Sequence, residues 1–205
     1  MINVINDDCV SFMKRYDDKF FELAIVDPPY GIGISKNPVR QQHDKKDWDI
    51  TIPTKEYFDE LFRVSKNQLI CGGNYFDLPP SQGFVIWDKK QPEDFSLAMC
   101  EYIWSSFQSP AKIFRYSVLQ ERNKIHPTQK PVALYKWLLK KYAKPGDKIL
   151  DTHLGSGSSV IACYDLEFDM YGTELDFDYY NNLYKRFTEH KKSKSDVSMR
   201  ESLFN

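Results

Sequence analysis

The sequence predicts an α/β, doubly wound domain, and two features carry that prediction. Short β-type runs recur along the chain, several of them continuously apolar and bounded by Gly, Pro or Asp, which suits strands buried on both faces of a parallel sheet. Stretches with helical apolar spacing lie between them, and strands alternating with helices define that architecture. At 205 residues, 41% hydrophobic and 15% aromatic, the chain is long enough to close one core and too apolar for disorder.

Taken in order, strands are expected at residues 3–5, 23–26, 68–71, 84–87, 112–116, 148–150 and 170–173. Residues 131–142 (PVALYKWLLKKY) set Val132, Leu134, Tyr135, Leu138 and Leu139 along one apolar stripe of a helix. Pro131 suits its first turn, while Pro145 and Gly146 stop it and turn the chain into the next strand. Residues 158–166 and 177–190 read as two further helices. The organisation expected is a single domain over residues 1–190, without internal repeats, followed by a polar tail, 191–205, that frays.

No apolar run approaches the roughly 20 residues of a membrane span. The opening MINVINDDCV lacks the basic-then-apolar layout of a signal peptide, which points to a cytoplasmic protein. Cys9, Cys71, Cys100 and Cys163 are scattered without paired spacing, so reduced thiols are expected rather than a disulfide framework or a metal cluster. The net charge is −1, so binding to a polyanion would rest on local basic stretches. Two are present. Lys36, Arg40, Lys45 and Lys46 stand against Asp44, and Lys112, Arg115, Arg122 and Lys124 against Glu121. Either stretch alone is as well explained as a solvated loop face.

Four segments carry chemistry. Asp27-Pro28-Pro29-Tyr30 follows the apolar run 23–26 directly, at the end of a strand where open α/β sheets bind ligands. Two prolines stiffen the backbone and leave carbonyl oxygens free. Asp27 is an anionic acceptor and Tyr30 a ring for stacking. An exocyclic amino group of a nucleobase needs that set, because its lone pair is delocalised until acceptors hold its N–H bonds. A rigid strand-to-loop turn is the plainer account, but such a word arises by chance in a chain this long only about once in a thousand.

The second segment is Asp151-Thr152-His153-Leu154-Gly155-Ser156-Gly157, between a strand and a helix. Glycines there admit a ligand close to the backbone, and the helix N-terminus favours a carboxylate or phosphate; a turn that only packs helix on sheet is the alternative. The third is Glu174, about twenty residues past that loop's start and at a strand end, where an acid in a βαβ unit accepts from ribose hydroxyls. A helix cap or a solvated charge would look the same. The fourth, His126-Pro127-Thr128-Gln129-Lys130-Pro131, opens a helix, and Thr128 and Lys130 there could hold a carboxylate.

Together these segments resemble the amino-group DNA methyltransferases whose D-P-P-Y segment precedes the cofactor loop. The family's D-P-P-Y, H-P-x-x-K-P, D-x-x-x-G-S-G and G-x-E motifs stand here in the family's order, the last as Gly172-Thr173-Glu174. Asn6-Asp7-Asp8-Cys9 resembles the G-D-C that opens many relatives, and Trp87-Asp88-Lys89 with the run from Cys100 to Phe107 is similar to segments of small phage-encoded members.

The resemblance implies a Rossmann-like, seven-stranded, mostly parallel sheet with helices on both faces, the permuted form of the S-adenosylmethionine-dependent methyltransferase fold. It implies that Asp27 and the Pro28 carbonyl bind the target amino group, with Pro29 completing the segment and Tyr30 stacking on the base. Asp151, Gly155 and Gly157 would surround the methionine part of S-adenosylmethionine, with Thr152, His153 and Ser156 of the same loop. Glu174 would hold the ribose, Asp8 would reach the adenine amino group, and Thr128 and Lys130 would lie near the carboxylate. Relatives usually carry Pro-Phe where this chain has Thr152-His153.

The expected activity is therefore methylation of the 6-amino group of adenine in double-stranded DNA, the target flipped out of the helix, in a restriction–modification setting. Residues 31–50 would serve as a lid, residues 88–123 as a small target-recognition segment, and the two basic stretches would contact phosphates. A homodimer is left open. A cytosine 4-amino methyltransferase is the nearest rival, though such relatives more often carry Ser-Pro-Pro-Tyr. RNA or protein-amide enzymes usually place an Asn-first tetrapeptide after the cofactor loop. A DNA-binding module without catalysis is the remaining alternative, and a nicotinamide dehydrogenase would want G-x-G-x-x-G.

Overall fold

The computed structural model describes residues 1–33, 49, 51–94, 98–117, 120, 125–126 and 128–203, with side chains through residue 196. Their centre is one sheet, assembled from β1 (Ile2–Asn6), β2 (Phe21–Val26), β3 (Ser65–Cys71), β4 (Phe84–Asp88), β5 (Cys100–Ser105), β6 (Lys112–Arg115), β7 (Lys148–Asp151) and β8 (Asp169–Glu174). The spatial order is β1-β8-β7-β2-β3-β5-β4-β6. Every neighbouring pair is parallel except β3–β5 and β5–β4, so β5 alone runs against the rest.

The sheet therefore has eight strands where seven were expected, and β5 is the addition. Its sequence, CEYIWS, carries a glutamate inside the run, which breaks the continuous apolar signature of an interior strand. Glu101 is tolerated there because two lysines neutralise it.

Side chains of β2 alternate between two cores. Leu23 and Ile25 pack with Leu134, Leu138, Val160 and Ile161 on one face. Ala24 and Val26 pack with Phe12, Tyr57 and Leu61 on the other. Helices α3 (Val132–Tyr142), α4 (Ser158–Asp165) and α5 (Phe177–Leu203) cover the first face, and α1 (Cys9–Met13) and α2 (Lys55–Val64) the second. This is the doubly wound arrangement.

Local sequence explains the helices. In α2, Thr54 caps the first turn by accepting from the Tyr57 N–H, and Tyr57, Leu61 and Val64 form the buried stripe. In α3 the expected stripe is buried at Leu134, Tyr135, Leu138 and Leu139, with Pro131 as the N-cap residue rather than inside the first turn.

Helix α5 continues to Leu203 instead of ending at His190. Residues 191–203 contain neither Gly nor Pro to stop it. Asp165, at the end of α4, also accepts from both His190 (2.8 Å) and Lys194 (3.2 Å), tying the helix down past the expected end. Among the described residues no helix is long and apolar enough to cross a membrane, and all four cysteines are free.

Candidate active site

Seven parallel strands point the same way, so their carboxyl ends collect the residues that follow them. Asp27 comes directly after β2, Asp151 closes β7, Glu174 closes β8, and Asp7 and Asp8 follow β1. A cavity of about 320 Å³ opens at that edge, where doubly wound sheets place their ligands and within the size range of small-molecule sites.

The tetrapeptide after β2 is held from three sides. The Tyr30 hydroxyl donates to Asp27 Oδ1 at 2.7 Å. The Lys130 ammonium pairs with Asp27 Oδ2 at 2.5 Å and donates to the Tyr30 hydroxyl at 3.1 Å. Asp49, buried to 1% exposure, accepts from the backbone N–H groups of Tyr30 (2.9 Å) and Gly31 (3.0 Å), fixing the turn that leaves the segment. The Tyr30 ring stacks on Tyr75 with centroids 4.9 Å apart and planes 13° from parallel. It also presses on Gly72 (φ +67°), where an added Cβ would come within 2.2 Å of the ring. Pro28 is buried and Pro29 lines the cavity.

Burial raises the Asp27 carboxyl above its ordinary range, opposed by Lys130 and reinforced by Glu101. Glu101 feels the same burial, but the ammonium groups of Lys130 and Lys89 outweigh it and bring its carboxyl to about 2. Lys130 is held well above its usual range: burial opposes the charge, while Asp27 and Glu101 stabilise it.

The glycine loop is built around Asp151, which is fully buried and accepts from the Ser159 hydroxyl (2.6 Å) and the His153 N–H (3.0 Å). Burial lifts its carboxyl to about 7 in spite of those donors. His153 is kept neutral down to about 4, also by burial. Thr152 bridges the Tyr57 hydroxyl (2.7 Å) and His153 Nδ1 (2.9 Å). Gly155 (φ +49°) donates its N–H to Glu174 Oε2 at 2.7 Å, so loop and acid are joined directly. Gly157 (φ +74°) caps α4 and lies against Leu183.

Of the residues expected to bind a cofactor, Asp8, Thr128, Lys130, Thr152, His153, Gly155, Ser156 and Glu174 line the cavity. Asp151 and Gly157 stand behind the wall as its supports, and Asp8 also caps α1 by accepting from the Ser11 N–H at 2.8 Å. Lys130, expected beside a ligand carboxylate, is engaged with Asp27 instead. Of the residues expected to touch DNA, Arg115 ends β6 on the same edge of the sheet as the cavity, paired with Asp88 at 3.6 Å, while Lys112 begins that strand at the opposite edge. Lys36, Arg40, Lys45, Lys46, Arg122 and Lys124 lie outside the described residues, as does the expected lid apart from 31–33 and Asp49. Within 88–123, Cys100–Ser105 and Lys112–Arg115 are strands of the main sheet.

Sequence reading missed Asp49, Tyr75, Glu101 and the His126–Tyr179 contact (centroids 4.3 Å) on the cavity wall. His126 stood inside a recognised motif. Glu101 lay in a run noted for its resemblance alone, and Asp49, Tyr75 and Tyr179 carry no local signal, because each meets its partner only through the fold.

Fold and site together define a doubly wound α/β protein that binds a small molecule at the carboxyl edge of its sheet, beside a cluster of Asp27, Tyr30 and the buried Lys130. The chain belongs to the N6/N4 DNA methylase family, whose profile matches residues 82–185. The type II methyltransferase M2.MboI of Moraxella bovis is 22% identical, aligned over 91% of this chain and 88% of its own. The crystal structure of an M1.HpyAVI–SAM complex superposes with a TM-score of 0.63 at 20% identity, covering 91% of this chain and all of that one. The PvuII DNA methyltransferase, cytosine-N4-specific, superposes with a TM-score of 0.62 at 11% identity over 91% of this chain and 90% of its own.

Proposed function

We propose that this chain transfers a methyl group from S-adenosylmethionine to the 6-amino group of adenine in double-stranded DNA, with the target base flipped into the site. The observation that carries the reading is that Asp27 and Lys130, both bonded to Tyr30, line one cavity together with Glu174 and the glycine loop.

The donor set fits the cofactor. Asp7, Asp8, Asp27, Glu174 and Asp176 line the cavity against one lysine, which favours a ligand with a cationic centre. Glu174, which takes N–H bonds from Gly155 and Asp176, brings to the cavity the carboxylate that a ribose diol would donate to. Asp8, Gly155, Ser156, Thr128, Thr152 and His153 would complete the contacts, over the supports Asp151 and Gly157.

Bound there, S-adenosylmethionine supplies an electrophilic methyl group on a sulfonium. Asp27 and the Pro28 carbonyl accept the two N–H bonds of the target amine and draw its lone pair out of the ring. Tyr30 stacks on the base. The chain's main contribution is to position two reactants in line, and Asp27, its carboxyl raised by burial, is the nearest group to take the released proton. Arg115 would meet a phosphate from the same edge of the sheet.

Methylation of the cytosine 4-amino group is the second reading, favoured by the likeness to the PvuII enzyme; the Asp-first tetrapeptide favours adenine. Labelled S-adenosylmethionine and unmethylated DNA, followed by mass spectrometry of the nucleosides, decides between them. Methylated deoxyadenosine supports the first reading, methylated deoxycytidine the second, and no labelled nucleoside would exclude both.

A further inference from the structure

Four alternating charges, Lys89, Glu101, Lys130 and Asp27, form one line of ion pairs, each side chain largely shielded from solvent. Lys89, just past β4, pairs with Glu101 Oε1 at 2.7 Å. Glu101, on β5, holds its other oxygen, Oε2, 3.2 Å from Lys130 Nζ, and Lys130 reaches Asp27 Oδ2 at 2.5 Å. Lys89 and Glu101 belong to the two segments, Trp87-Asp88-Lys89 and Cys100-Glu101-Tyr102, that stood out for their resemblance and, from residue 88 on, were expected to help recognise the target. Glu101 Oε2 is buried and accepts no hydrogen bond among the described residues. An acceptor buried without a hydrogen bond is unusual and asks for a reason.

We propose that Glu101 is a positioning residue for methyl transfer, providing a second seat for the Lys130 ammonium when the target amine takes its place on Asp27 Oδ2. The inference rests on the methyl-transfer reading above. Lys130 occupies one of the oxygens the amine needs. It cannot withdraw into an apolar interior as a lone cation. Glu101 Oε2 lies close enough that a movement of about half an ångström converts an ion pair into a charge-assisted hydrogen bond. The ammonium then stays neutralised while Asp27 changes partner.

The other groups facing Lys130 cannot substitute. Tyr30 beside it, partly buried, and Cys71 from β3 and Tyr135 from α3, both buried, are held neutral, their ionisation pushed well above the ordinary range. Asp27 and Glu101 are the two anions within reach among the described residues.

The test compares the full-length wild type with Glu101→Gln, Glu101→Asp and the double variant Glu101→Gln/Lys89→Met, using labelled S-adenosylmethionine and unmethylated duplex DNA. Glu101→Gln is expected to lower kcat by about a hundred-fold with cofactor affinity within about two-fold of wild type. Its acidic limb in the pH profile should move to lower pH, because Glu101 no longer raises the Asp27 carboxyl. Glu101→Asp should recover at least part of kcat. The double variant removes the lysine stranded on the far side of Glu101, so its melting temperature should recover while its kcat stays low.

Recovery of kcat along with stability in the double variant would mean that Glu101 only packs, and would overturn the proposal. So would a Glu101→Gln enzyme with wild-type kcat and an unmoved acidic limb, or one that loses cofactor binding together with turnover. A wild-type protein that labels no DNA overturns the methyl-transfer reading and this role with it; labelling by the wild type leaves the variants to judge Glu101 alone.

Discussion

Lys130 Nζ lies 2.5 Å from Asp27 Oδ2, joining the entry of α3 to the exit of β2 across the floor of the cavity. On the proposed reading, the acid that would accept the target amine is thus already charge-compensated before substrate arrives. Asp27→Ala is expected to cut methyl transfer by about a thousand-fold, because the chief acceptor for the amine is gone. Lys130 keeps Glu101 as a partner, so the cost in stability should be only about 1–3 kcal/mol. Cofactor affinity, measured by calorimetry, should change by no more than a few-fold. Turnover like wild type in this variant would remove Asp27 from the mechanism.

Asp151 and His153 make opposite contributions to stability against pH. Asp151 is protonated up to about 7 in the folded chain but would ionise near 3.8 when unfolded. Its contribution is therefore fully present below about pH 4 and is lost as pH rises towards 7, by about 4 kcal/mol in all. His153 has its folded value depressed from 6.5 to about 4, so its neutral form costs stability as pH falls through that window. Between pH 4 and 6.5 the two slopes offset. Asp151→Asn removes the first and exposes the second: urea unfolding should show the variant's stability rising from pH 4 to 6.5 more steeply than the wild type's. Equal slopes would contradict the pairing.

Much of this site could be read from the chain because its parts are contiguous. Asp27–Tyr30 and the glycine loop each follow an apolar strand within a residue or two, and Glu174 falls at the distance a βαβ unit imposes. What escaped notice is what only tertiary folding creates. Asp49 meets Tyr30 from 19 residues further along the chain, and Glu101 meets Lys130 with β6 between them in the chain. Helix α1, five residues long, is too short to show a period, and β5 was hidden by the same glutamate that gives it its interest.

Gly157 is required on two counts. Its φ of +74° strains any other residue, and a Cβ there would come within 2.6 Å of Leu183 Cγ. Gly157→Ala should destabilise the fold by about 2–4 kcal/mol. Adding Leu183→Ala relieves the clash but not the backbone, so the double variant should cost less than the sum of the two single changes. Strict additivity in chemical unfolding would show that the contact is not felt.

Asp49 should act on catalysis through geometry alone. Its Oδ1 takes both the Tyr30 and Gly31 N–H bonds, so Asp49→Ala leaves two donors without that partner and loosens the exit of the tetrapeptide. The expected outcome is a stability loss of about 2–3 kcal/mol and a fall in kcat, both largely restored by Asp49→Asn, whose single carbonyl oxygen can serve the same two donors. A fall in kcat that Asn fails to restore would point instead to a need for the charge.

Tyr75 stacks on Tyr30 in the geometry that a flipped base would use, 4.9 Å between centroids and 13° between planes. Tyr75 is also 43% exposed, so it can swing away at the cost of the stacking energy, about 0.5–1.5 kcal/mol. On the proposed reading, base and tyrosine would compete for one aromatic face, and the competition would weaken substrate binding by that amount. Tyr75→Ala should bind duplex DNA with a mispaired target about two- to ten-fold more tightly than wild type does, because a mispaired base needs little energy to leave the stack. Weaker binding would mean that Tyr75 holds the base rather than its place.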